Sequence, residues 1–185
     1  MIGKVFMAGP GKLESISDAA CGIEGVRELR GHLDAAGLRI GIVAGRFHTE
    51  LTSVLASDLV QTLLSRGAEA KDILVVWVPG TFELAGAVQK LATKGEFDAL
   101  IALGAVVEGE TSHAQMIVSS ISFALCDISR QSEIPVVDGV ISAPSYDQAK
   151  ARCVSGPESR ARYLADAATE VARVHEKIAR GLSHG

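Results

Sequence analysis

The sequence predicts a three-layer α/β/α sandwich around a central four-stranded parallel sheet. Two observations carry this. From Arg39 onward, short apolar runs alternate with longer stretches whose apolar residues recur at helical spacing. The short runs are continuous and rich in β-branched residues. That is the mark of strands covered on both faces, as in a parallel sheet between helices. Right-handed crossovers then place helices on both sides.

Ile40-Gly41-Ile42-Val43 reads as the first strand. Leu51, Leu55, Leu59 and Leu63 recur every four residues, a helix ridge that Gly67 can end. Ile73 to Val78 is the second strand. A helix from about Phe82 turns Leu84, Val88 and Leu91 inward and stops at Gly95. Ala99 to Val107 is the third strand, interrupted by Gly104. Ser112 with Gln115 matches a capping box, opening a helix whose Ile117, Ile121, Leu125 and Ile128 share a face. Ile134 to Ile141 is the fourth strand, and Ser145 with Gln148 is a second box before a shorter helix. The last helix has Pro157 near its start. Its Leu164, Val171 and Ile178 are spaced by seven, with Ala168 and Val174 between.

Residues 1–36 read as an N-terminal extension, either an arm with little order or one with weak helical character from Ile23 to Leu33. Residues 37–185 form the α/β domain, with an extended C-terminal helix.

The 185-residue chain has a net charge of −4, which gives no electrostatic reason to expect nucleic acid or an anionic membrane as partner. Cys21, Cys126 and Cys153 are odd in number and form no CxxC pair, which fits a reducing, cytoplasmic setting without a zinc site. The longest apolar stretch falls far short of the ~20 residues that span a bilayer. Mean hydropathy is +0.26, apolar enough to suggest surface buried between copies of the chain. Aromatics are 4%, so each aromatic outside the core is informative.

In open parallel sheets, ligands bind beyond the carboxyl ends of the strands. The segments there are 44–48, 79–83, 104–113 and 138–145. They collect Arg46, Phe47, His48, Thr81, Phe82, Glu83, Glu108, Glu110, Thr111, His113 and Asp138. The run Gly109-Glu110-Thr111-Ser112-His113 enters a helix N-terminus, where free N–H groups favour an anion. His113 is either a proton-transfer group or a surface residue. Glu83 either accepts hydrogen bonds from a polyol or complements the helix dipole. Phe47 either stacks on a planar ring or closes the core. There is no GxGxxG after the first strand, no GxxxxGK[ST], no HExxH and no GxSxG.

Taken together, several segments resemble the lumazine synthase family. They are Gly41-Ile42-Val43 with Arg46-Phe47, then Val78-Pro79-Gly80-Thr81-Phe82-Glu83-Leu84, then Phe97 to Gly104. Gly109 to His113, Ile134-Pro135-Val136 with Gly139-Val140, and Gln148-Ala149 before Arg152 follow. The similarity runs from about Leu38 to Ala172. It implies a flavodoxin-like fold and condensation of 5-amino-6-(D-ribitylamino)uracil with 3,4-dihydroxy-2-butanone 4-phosphate. The product is 6,7-dimethyl-8-ribityllumazine, with phosphate and water released and no metal or organic cofactor required.

By resemblance, Phe47 stacks on the pyrimidine. Thr81, Phe82 and Glu83 hold the ribityl chain, and the backbone of Val106 and Val107 reads the uracil edge. Glu110 and Thr111 belong to the phosphate-side loop, and His113 transfers protons. Arg152 grips the phosphate from a neighbouring subunit, with Arg160 where the family usually has lysine. The family forms pentamers with active sites between subunits, some of them assembled into capsids. Glu108 stands where a basic residue is usual, Ala114 where an aromatic follows the histidine, and Asp138 where Phe or Asn is common near the pyrimidine. These departures motivate an alternative: a catalytically altered relative that binds a flavin or lumazine, or acts as a scaffold.

Overall fold

The structure, a computed structural model, describes residues 23, 24, 26–109, 113–155 and 159–181. Its strands are β1 (Ile40–Gly45), β2 (Ile73–Val78), β3 (Ala99–Val107) and β4 (Val136–Ala143). They form one parallel sheet in the order β2-β1-β3-β4. This is the flavodoxin-like arrangement, with the order turning back at β1 and opening a crevice at the strand ends. The helices are α1 (Thr49–Ser65), α2 (Leu84–Lys94), α3 (His113–Ser132), α4 (Tyr146–Cys153) and α5 (Ala161–Ala179).

Strand periodicity sorts the core into two layers. On one face Ile40, Ile42, Ala99, Ile101 and Leu103 pack against Leu51, Leu55, Leu59 and Leu63 of α1, Ala149 of α4, and Leu164 and Ala168 of α5. On the other face Val43, Leu100 and Ala102 pack against Leu84 and Val88 of α2 and Ile121, Leu125 and Ile128 of α3. The predicted ridge on α1 is therefore the buried one. Gly95, at φ 67, ends α2 in the left-handed conformation that glycine accepts without strain. Ser145 caps α4 by accepting from the Gln148 N–H, as its sequence box predicts. The Ser112–Gln115 box lies partly outside the described residues.

Several expectations change. β4 begins at Val136 and ends at Ala143, two residues later than predicted at each end, because its register with β3 runs from Leu100↔Val136 to Val107↔Ala143. The buried stripe of α5 is Ala161, Leu164, Ala165, Ala168, Thr169 and Ala172, a helical spacing in place of the sevenfold one. Val171 lies off the stripe and is only partly covered; Val174 is partly covered and Ile178 exposed, the helix there having run on past Ala172, the last residue of the stripe. β2 is an edge strand, so its continuous apolar run does not mean full cover: Leu74 and Trp77 are over two-fifths exposed.

No helix forms over residues 26–36. The end of this segment is strapped to α5: Arg173 donates to the Asp34 and Ala36 carbonyls, and Lys177 Nζ to the Arg30 carbonyl at 2.7 Å. Between α1 and α5, Arg66 forms a bidentate pair with buried Asp166, at 2.9 and 3.0 Å. Among the described residues, no helix is long and apolar enough to cross a membrane.

Candidate active site

β1 and β2 stay joined past their last ladder pair. The Arg46 N–H donates to the Val78 carbonyl at 2.8 Å, and the Phe47 N–H to the Pro79 carbonyl at 3.0 Å. The chain then reverses at His48, in the left-handed region at φ 59, ψ 47, and enters α1. Thr52 Oγ1 ties this reversal down by donating to the Gly45 carbonyl at 2.7 Å. Phe47 stands on the turn with 67% of its surface exposed.

After β2, Thr81–Glu83 form a single 3₁₀ turn leading into α2. Thr81 is buried against Gly104 of β3. A Cβ at residue 104 would lie 2.7 Å from Thr81 Oγ1, so the missing side chain is what lets the turn sit on the strand. Glu83 folds back towards Gly80, where a Cβ would meet Glu83 Oε2 at 3.2 Å. Phe82 points outward and is 65% exposed.

These pieces close around a cavity of about 500 Å³, a size that suits a small organic ligand. Phe47, Thr81, Phe82, Glu83, Val106, Val107 and His113 all line it. Pro79, Gly80, Ala105, Gly109, Ala114 and Ile117 complete the described wall. The wall is mostly apolar, with one carboxylate and one imidazole. Such a slot suits a small organic molecule and sets a carboxylate and an imidazole within its reach. Ala114 presents only a methyl group to the slot, at the position where the resemblance implies an aromatic.

Asp138, Arg152 and Arg160 lie elsewhere. Glu110 and Thr111, with Ser112, fall outside the described residues. Asp138 is the third residue of β4, level with Ala102, and so does not stand at a strand's carboxyl end. It accepts from Ser122 Oγ at 2.6 Å and from the Val140 N–H at 3.0 Å. It lines a separate groove of about 1130 Å³ beside β4, with Phe97, Cys126 and His175. Arg152 and Arg160 line neither space. They are joined to each other by the Arg160 N–H to Arg152 carbonyl bond at 2.9 Å, and the Arg160 guanidinium lies over the Tyr163 ring at 4.2 Å.

Burial pushes the Cys153 thiol up to about 11, so it stays protonated at neutral pH. Among the described residues no group of three or more His, Cys, Asp or Glu is placed to hold a metal ion.

Sequence reasoning did not single out Glu50 and Tyr146, which meet beside His48. Tyr146 OH donates to Glu50 Oε1 at 3.1 Å across 96 positions of chain, and no local spacing could have signalled it.

Fold, strand-end cavity and lining thus occur together over one stretch of sequence. Residues 37–176 match the family model described as 6,7-dimethyl-8-ribityllumazine synthase, most of the chain, and the chain belongs to that family.

Proposed function

We propose that the protein catalyses the family's condensation in riboflavin biosynthesis, joining the ribitylaminouracil and the butanone phosphate to give 6,7-dimethyl-8-ribityllumazine. The observation that carries this reading is the gathering of Phe47, Glu83, Val106, Val107 and His113 around one cavity in a chain of this family. The exposed Phe47 ring stacks on the pyrimidine. Glu83 and Thr81 take ribityl hydroxyls, and Phe82 covers that chain. The end of β3 at Val106 and Val107 reads the ring edge through its backbone.

The chemistry needs an imine between the ring amine and the ketone, with loss of water. Phosphate must then leave, and the second ring must close as the ribityl-bearing nitrogen adds to the remaining carbonyl and a second water is lost. His113, at the first turn of α3, moves protons in these steps. Holding two substrates in register supplies much of the remaining acceleration. The phosphate is left to Arg152, with Arg160 next to it, and Glu110 and Thr111 belong to the same side.

Both arginines and Asp138 lie off the cavity of their own chain. That supports a site completed by a neighbouring copy, and hence a pentamer or a multiple of it. We read 37–185 as the catalytic module, 1–36 as an extension and the enzyme as cytoplasmic. Purified protein given both substrates should form a fluorescent lumazine faster than the uncatalysed mixture. No product above that background would overturn the reading.

A further inference from the structure

Beside the cavity mouth stands a side-chain cluster that the reaction outlined above leaves unused. Tyr146, the first residue of α4, reaches across to α1 and donates its hydroxyl to Glu50 Oε1 at 3.1 Å. The same oxygen lies 3.4 Å from His48 Nδ1. The His48 ring is edge-on to Tyr146, with centroids 6.0 Å apart, and edge-on to Phe47 at 4.7 Å. Four side chains from two helix starts and the β1 turn thus form a chain of contacts ending on the Phe47 ring.

Two features of this chain need explaining. Phe47 is two-thirds exposed, so little core packing fixes its rotamer. His48 holds a left-handed backbone conformation, which costs a non-glycine residue energy and persists only where neighbours impose it. The Glu50 carboxyl is held below its ordinary value, first by its own backbone N–H and then by the Tyr146 hydroxyl and His48. It is therefore a charged acceptor at neutral pH, shared between the tyrosine and the histidine.

We propose that Tyr146 and Glu50 are positioning residues. Through the His48 ring they hold Phe47 in its stacking orientation, and so set affinity for the planar ring substrate without touching it. A ring held ready loses less freedom on binding, so the effect falls on that substrate's KM and spares kcat. This rests on the reading of Phe47 as the stacking residue.

The test has two arms. In the first, protein labelled with fluorophenylalanine carries five Phe positions, and the Phe47 signal is assigned with Phe47→Leu. Tyr146→Leu, which adds no labelled position, and Glu50→Ala should shift and broaden that signal in the ligand-free protein, while Glu50→Gln, which keeps an acceptor, should not. In the second, Tyr146→Phe should raise KM for the ribitylaminouracil about threefold, the scale of an exposed polar contact. KM for the phosphate substrate and kcat should stay as they were. In a Phe47→Ala background the same change should have no further effect. An unmoved Phe47 signal in both variants, or KM effects that simply add, would overturn the proposal. If the unaltered protein makes no lumazine, the reaction is wrong and the first arm still decides the bracket.

Discussion

On one face of the sheet, α1, α4 and α5 bury four leucines of α1 and the small-residue stripe of α5 to near completion. On the other, α2 and α3 bury a smaller set and leave Met116 and Phe123 63% and 79% exposed. The first layer also holds a deeply buried carboxylate, Asp166, in a bidentate pair. The second borders the cavity, supplying Ala114 and Ile117 to its wall and His113 at its mouth. The contrast separates two arrangements: both layers are core, but the first covers its helices more fully, while the second gives up cover beside the cavity and leaves apolar side chains exposed.

The hardest test of that division is a truncation in the covered layer. Leu55 is fully buried, and Leu55→Ala should cost about 3 kcal/mol. In a chain of this size that lowers Tm by roughly 10 °C. Phe123→Ser should leave the isolated chain's stability nearly unchanged. Equal losses in calorimetry would erase the distinction between the layers.

Next in size is the site itself. His113→Ala should lower kcat about 100-fold, the usual contribution of a positioned proton carrier. The same variant should melt where the parent does, because His113 is exposed. A shared fall in Tm would mean that His113 serves the packing of α3 and not only the cavity.

The smallest effect sharpens where the first layer ends. The Glu176 carboxyl is held below 4.5, chiefly by the Arg173 hydrogen bond and with Arg180 also near. Its folded value is the lower one. Its contribution is therefore complete above 4.5 and lost as pH falls through that lowered value. Arg173 also clamps Asp34 and Ala36, so amide protection over residues 30–36, taken relative to the intrinsic exchange rate at each pH, should fall in that acid window. Glu176→Gln should abolish the step; an unchanged step would assign it to another group.

Much of this was legible in the sequence because the signals are local. The Leu51 to Leu63 ridge, the β3 run and the Ser145 cap each lie within one element, and each is where spacing puts it. Phe47, Thr81, Glu83 and His113 converge because each follows a strand whose end the topology gathers. What was not legible depends on partners far along the chain. The ends of β4 follow its register with β3, which moves Asp138 from a strand end into a ladder. The apolar repeat of α5 continues to Ile178 after the buried stripe has ended at Ala172. The Tyr146–Glu50 contact links two helix starts that no window joins.

Trp77 sits half-exposed on β2, the outer strand, shortly before the turn that carries Thr81 and Glu83. It is the only tryptophan in the chain. The molecule therefore carries its single tryptophan fluorophore, the one excited selectively at long ultraviolet wavelength, at an open sheet edge. Its emission moves to shorter wavelength when that edge is covered and to longer wavelength when the strand frays. Association and unfolding drive it in opposite directions, so one unlabelled optical channel tells the two apart.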